Sequence, residues 1–249
     1  MSFAQIGTNI IELLSKYWYV YLIDGVKTTL IFTCIAVLLG AILGTVVAIL
    51  KMSRFKIIRF LISIYIEVIR GTPILLQLYI FYFVLPQMLP FLDLSPFMWV
   101  AIAMCVNSGA YVSEIIRSGI QAVDKGQAEA ARSLGLSKSQ TMIKIILPQA
   151  IRNILPALGN EFIMILKETS LASTFFLGDL MTSHKIVAGA TYLQLESLMI
   201  VGCIYLCFTF PLSKLVAWFE KKMSNDKSYK NHHRNRKVKL QKGHMGVEF

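Results

Sequence analysis

Long apolar runs separated by short polar connections dominate the chain. The runs fall near residues 28–50, 60–85, 97–116, 154–180 and 194–213, and the first, Thr28 to Leu50, holds no ionisable side chain. A bilayer core about 30 Å thick takes roughly 20 apolar residues per helix, so the pattern predicts an all-α integral membrane protein with five transmembrane helices. The connection Lys51 to Arg59 carries Lys51, Arg54, Lys56 and Arg59, and Arg117 to Arg152 carries six Lys/Arg. Pro86 to Pro96 carries none and Leu180 to Leu193 only Lys185. Because basic connections stay in the cytoplasm, the expected topology has the N-terminus outside and the C-terminus cytoplasmic.

The chain then divides into three parts. In residues 1–24, Phe3, Ile6, Ile10, Leu13 and Leu14 recur at helical spacing and predict an amphipathic helix on the outer face, followed by Tyr17, Trp18, Tyr19 and Tyr21 at headgroup level. The segment lacks the layout of a cleaved signal peptide and is expected to be retained. Residues 25–218 form the membrane domain, with a long cytoplasmic loop at 120–150. Residues 219–249 read as a basic, disordered cytoplasmic tail.

Composition agrees with the pattern: 55% hydrophobic, 16% charged and a mean hydropathy of +0.61 exclude a soluble globule. Of the net charge of +11, most lies from Lys221 onward, where nine Lys/Arg face only Asp226 and Glu248. The HHRNRKVK stretch there is read as a solvated tail beside an anionic leaflet, with no specific nucleic-acid partner. Cys34, Cys105, Cys203 and Cys207 all lie in apolar runs without metal-ligand spacing, so they are packing residues. No metal or other cofactor is expected. Ala36, Gly40, Gly44 and Ala48 recur every four residues and make a smooth stripe for a neighbouring helix, either in another subunit or within the chain.

Charges inside the apolar runs are the candidate chemistry, because an ionised group at the bilayer centre costs several kcal/mol and must face a polar interior. The second run is interrupted by Glu67-Val68-Ile69-Arg70-Gly71-Thr72-Pro73, where proline and glycine predict a kinked or broken helix. Glu67 and Arg70, three apart, can neutralise each other or contact a ligand. The fourth run carries Glu161, Lys167 and Glu168, with Asn160 and Lys167, like Glu161 and Glu168, seven apart and nearly stacked. A cation for a carboxylate and an anion for an ammonium suit a zwitterion, and internal salt bridging is the alternative. The third run adds Asn107, with Ser108, Tyr111 and Glu114. The candidate solute contacts are therefore Arg70, Asn107, Glu161, Lys167 and Glu168.

The longest connection reads SGIQAVDKGQAEAARSLGLSKSQTMIKIILPQAIRNILPAL. A helix over Gly126 to Leu134 is expected to end at Gly135 in a left-handed cap, and a second to begin at Ser137 with a capping box to Gln140. Pro148 marks the far end or a bend. Two short helices meeting at a glycine make an L-shaped protrusion whose Ala128, Ala130 and Ala131 leave a close-docking face.

Glu129-Ala130-Ala131, Gly135, Ile145 and Leu147-Pro148 stand at the spacing of the EAA signature, and the chain resembles the permease subunits of bacterial ATP-binding-cassette importers. Glu67 to Gln77 (EVIRGTPILLQ) and Leu166 to Ser173 (LKETSLAS) are similar to the polar amino-acid group that carries histidine, glutamine and arginine. The resemblance covers about Gly25 to Trp218. It implies the type I importer permease fold and an inner-membrane location. It makes Glu129, Ala130, Ala131, Gly135, Ile145, Leu147 and Pro148 the elements that couple to the ATPase. It also implies the partners: an ATPase subunit dimer, a second permease subunit (homodimer or paralogous heterodimer), an extracytoplasmic solute-binding protein and an amino-acid substrate.

The chain has no G-x-x-x-x-G-K-[ST] phosphate loop, so ATP hydrolysis is expected in a partner and the chain is a transport subunit, not an enzyme. It also lacks G-x-S-x-G and H-E-x-x-H, which argues against an intramembrane enzyme. A secondary transporter or channel for a zwitterion, and an importer of opine-like amino-acid derivatives, are the alternatives.

Overall fold

The computed structural model describes the backbone of residues 2–244 and the side chains of residues 2–223. Every regular element among them is helical. Helix α1 (Phe3–Tyr19) passes through a π turn (Val20–Gly25) into α2 (Val26–Lys51), so the segment expected on the outer face and the first crossing form one 49-residue helical stretch. That is far more than the roughly 20 residues a bilayer core accommodates. The bent pair α3 (Lys56–Gly71) and α4 (Ile74–Tyr79) follows, and α4 continues through a π turn (Ile80–Val84) into α5 (Leu85–Met88). Next come α6 (Pro96–Gln121), α7 (Lys125–Ser133) and α8 (Lys138–Thr141). A π turn (Met142–Ile146) joins α8 to α9 (Leu147–Glu168), a 3₁₀ turn (Thr169–Phe175) follows, and α10 (Leu180–Thr191) and α11 (Gln194–His244) come last among the described residues.

Phe3–Lys51, Pro96–Gln121 and Gln194–Met223 are long and apolar enough to cross a membrane, and the bent pair, with 106° between its arms, makes a fourth candidate. The expected fourth run, 154–180, is not one helix. The α-helix starts earlier, at Leu147, carries Arg152, Glu161, Lys167 and Glu168, and stops at Glu168. The chain then tightens into the 3₁₀ turn and closes at Phe176 in a left-handed conformation (φ 52°). Tertiary contact holds this change of path: Phe175 stacks on Tyr82 at 4.4 Å, and Lys185 Nζ donates to the Ser173 carbonyl at 2.8 Å. α11 continues as helix to His244, within the stretch expected to be a basic tail. The side chains of that stretch, and residues 245–249, lie outside the described residues.

The core is the contact of α2 with α6, and the small-residue stripe serves it. A Cβ on Gly40 would lie 2.8 Å from the Ser108 Cβ, and one on Gly44 2.6 Å from the Val112 Cβ. Ala36 and Ala48 on the same stripe are buried. Internal packing therefore uses this face. A Gly44→Val variant forces the two backbones apart, and overpacking of this kind destabilises by about 1–3 kcal/mol or more. The expected result is a lower thermal midpoint for the purified protein in detergent.

At the other end a polar cluster binds α1 and its π turn to α10 and α11. Asn9 Nδ2 donates to Glu196 Oε1 at 2.8 Å, Tyr21 Oη and Ser197 Oγ are 2.6 Å apart, and His184 Nδ1 lies 3.0 Å from the same hydroxyl. Burial, and secondarily the neighbouring Lys185 charge, hold the His184 imidazole below its ordinary pKa.

Candidate functional site

Two sites follow from this frame: a break in the second run that faces α6, and the loop between α6 and α9. Proline at position 73 cannot donate to the Ile69 carbonyl and disfavours helical backbone at the residue before it. Thr72 is accordingly extended (φ −118°, ψ 146°) and α3 ends. The carbonyls that lose helical partners are met by side chains. Thr72 Oγ1 donates to the Val68 carbonyl at 2.8 Å, and Gln77 Nε2 donates to the Ile69 carbonyl at 2.8 Å and to Thr72 Oγ1 at 2.9 Å. The other end of the Gln77 amide, Oε1, accepts from Asn107 Nδ2 at 2.9 Å. Asn107, read from sequence as a solute contact, is 3% exposed and holds Gln77. Gln77 itself escaped the sequence reading, although a lone amide in an apolar run, four residues past a proline, is the signal that marks it.

Arg70 does not pair with Glu67, which is exposed. Its guanidinium turns to α6, where Nη1 lies 3.5 Å from Glu114 Oε2 and the group sits 5.5 Å from the Tyr111 ring centroid. Glu114 is also gripped by Arg117, whose Nε and Nη2 donate to the two carboxylate oxygens at 2.9 and 2.6 Å. One carboxylate thus serves two guanidinium groups, and Arg70 keeps 44% of its side chain exposed.

On α9 the charges separate instead of sharing one face. Glu161 is 5% exposed and accepts from Ser108 Oγ at 3.2 Å, whereas Asn160 and Lys167 are exposed. Six residues at about 100° each turn Lys167 about 120° away from Glu161, which is why one helix cannot present both on one line. Glu168 is half-buried, and its Oε2 has no hydrogen-bond partner. The outward stripe from Asn160 to Lys167 continues toward the loop into an open cavity of about 420 Å³ lined by Arg152, Asn153, Pro156, Asn160 and Glu220. The site therefore has an outward polar line on α9 and a buried carboxylate behind it.

The loop is built as its sequence requires. Asp124 caps α7 by accepting from the Gly126 amide at 2.7 Å. Gly135 (φ +84°) ends the helix in a Schellman motif, with its amide bonded to the Arg132 carbonyl at 3.0 Å and the Leu136 amide to the Ala131 carbonyl at 3.1 Å. The capping box forms in both directions: Ser137 Oγ accepts from the Gln140 amide at 3.2 Å and Gln140 Oε1 from the Ser137 amide at 2.9 Å. Pro148 does not end a helix. It sits in the first turn of α9, directly after a π turn whose wider path relieves the clash of its ring with the preceding turn. Glu129 and Ala130 are exposed on α7, and so is Leu134, 81% exposed at the tip, which was not singled out from sequence. Ala131 is buried, Ile145 half-buried, and Leu147 and Pro148 exposed, so the seven signature positions divide between an outward surface and its support.

Residues 36–225 match the family described as binding-protein-dependent transport system inner membrane component. The chain belongs to that family. Among its relatives, this permease is 42% identical to the arginine transport system permease protein ArtQ of Bacillus subtilis (strain 168), over 83% of this chain and 94% of that one. It is 40% identical to a putative glutamine transport system permease protein, GlnP, of Rickettsia bellii (strain RML369-C), over 82% and 93%. Among solved structures, an amino acid ABC transporter crystallised with histidines superposes with a TM-score of 0.80 at 45% identity, covering 84% of this permease and 96% of that chain. The permease fold is thus of the ABC importer type, and the chain is a transport component.

Proposed function

We propose that this permease carries polar amino acids inward across the inner membrane, driven by ATP hydrolysis in partner subunits. What carries the reading is its near full-length likeness to amino-acid permeases, to which the two-helix loop around Gly135 adds a surface for an ATPase. The assembly is an ATPase dimer, this permease with a second permease copy or paralogue, and an extracytoplasmic solute-binding protein. The basic connections at 51–59 and 117–152 support five crossings with the N-terminus outside and the C-terminus cytoplasmic, the fourth crossing being α9 with its 3₁₀ continuation. Glu129, Ala130 and Leu134 meet the ATPase, while Ala131, Gly135 and Ile145 hold their geometry and Leu147 and Pro148 begin the helix that receives the push.

The solute path follows the outward line of α9 opposite the break. Lys167 and the exposed part of Arg70 attract the carboxylate, and Glu168 with Glu161 behind it the ammonium group. A solute shifts such an equilibrium only through unequal affinity for its two states, so these charges contact solute on one side of the cycle.

The test is uptake of labelled amino acids by proteoliposomes holding the complete transporter. Lys167→Ala is expected to lower uptake by about tenfold, as loss of one charged hydrogen bond would, with ATPase docking intact; wild-type uptake would return Lys167 to the membrane surface. Uptake that continues without ATP and collapses with an ion gradient would replace the proposal by secondary transport.

A further inference from the structure

Neighbouring residues on α6 grip both arms of the bent helix. Tyr65, on α3, donates from Oη to the Val106 carbonyl at 2.6 Å, and Gln77, on α4, accepts from Asn107 at 2.9 Å. One and two turns further along the same helix, Tyr111 and Glu114 receive Arg70. α6 then ends at Gln121, three residues before the Asp124 cap of α7. The helix that orders the break is thus the one that runs into the loop.

The hydrogen bonds around the break have one direction only. The Ile69 carbonyl can only accept, so Gln77 must turn its NH₂ toward it and its oxygen toward α6, which obliges Asn107 to donate. Gln77 is 5% exposed and Asn107 3%, so water cannot replace either group. An unmet carbonyl at this depth is unfavourable, and without Gln77 the Ile69 carbonyl would have no partner where Pro73 denies it one.

We infer that Gln77, held by Asn107, is a positioning residue for transport: it fixes the shape of the Gly71–Pro73 break to α6, so that Arg70 moves with the loop that meets the ATPase. This rests on the reading that Arg70 faces solute. Neither amide touches solute; both act through the backbone they hold.

The experiment uses the complete transporter in proteoliposomes, measuring uptake rate, its dependence on solute concentration and ATP hydrolysed per solute carried. Gln77→Met keeps length and removes every hydrogen bond of the amide; Gln77→Glu keeps acceptance from Asn107 and removes donation to Ile69 and Thr72. Both are expected to lower maximal uptake about tenfold and to raise ATP consumed per solute, with the assembled complex recovered in normal yield by size exclusion. The double variant Gln77→Met/Asn107→Ala is expected to be no worse than Gln77→Met, because one chain of bonds is broken once. Gln77→Asn keeps an amide that cannot span both partners and is expected to fail likewise. Wild-type uptake and stoichiometry in Gln77→Met, or equal loss of yield and uptake in every variant with the stoichiometry unchanged, would overturn the assignment. Arg70→Gln separates the two ideas: normal uptake there with a defective Gln77→Met removes Arg70 from the solute path, while the reverse pattern removes Gln77 from the coupling.

Discussion

Replacing Gly135 by valine is expected to reduce ATP-driven uptake about tenfold or more while the membrane helices stay folded. Gly135 adopts φ +84° as the residue after the α7 cap, and both Schellman hydrogen bonds, Gly135 to Arg132 and Leu136 to Ala131, depend on that angle. A left-handed conformation costs an ordinary L-residue roughly 1–2 kcal/mol, and a β-branched one more, so about a factor of ten in the population of the native loop is the least to expect. Beyond its own chain neighbours, no atom lies within 4 Å of the position a Cβ would take. The penalty is therefore confined to the backbone of the loop, which escapes it by changing the angle between α7 and α8 and displacing Leu134. Gly135→Asn, which tolerates the left-handed region, should retain most of the activity. Uptake and ATPase activity measured side by side decide the matter: if the valine variant transports as the wild type does, the shape of this loop does not couple hydrolysis to movement.

The second large effect is expected from Glu114→Ala. Its carboxylate meets Arg117 through two hydrogen bonds and Arg70 at 3.5 Å, and its side chain is 17% exposed. Removing it leaves two guanidinium groups facing each other. Breaking a buried pair costs about 3–5 kcal/mol and a surface pair contributes about 0–1, and the 44% and 35% exposure of the two arginine side chains places this one between them, at about 2 kcal/mol. At about 2 kcal/mol the thermal midpoint in detergent should fall by roughly 4–8 °C. Glu114→Gln should fall between, since an amide oxygen still accepts one hydrogen bond without the charge. Glu67→Ala is the control, because Glu67 is exposed and its loss should leave the midpoint within about a degree. A Glu114→Ala protein as stable as its parent would show that the arginines find other partners.

Much of this architecture was readable along the chain because it is local. The Gly135 cap, the Ser137–Gln140 capping box and the break at Gly71–Pro73 each follow from a few adjacent residues whose backbone preferences are strong. The four-residue stripe of Ala36, Gly40, Gly44 and Ala48 was legible as a packing face, although not as one that meets α6 in the same chain.

The partners of charged and amide groups were not legible. Spacing put Glu67 beside Arg70 on α3, yet Arg70 pairs with Glu114, because a carboxylate from another helix, already fixed by Arg117, outcompetes an exposed neighbour in sequence. Spacing also put Glu161 and Lys167 on one polar face, whereas the contact with Ser108 buries the first and leaves the second exposed. The end of α9 at Glu168 depends on the aromatic contact of Phe175 and the reach of Lys185, both made by residues distant in sequence. Sequence by itself determined which segments are apolar, where the backbone must turn and which loop projects, since hydrophobic length and the φ preferences of Gly and Pro act over a few residues. Tertiary structure alone decided which charge meets which and which amide holds the break, since those energies depend on distances between helices that no spacing along one helix contains.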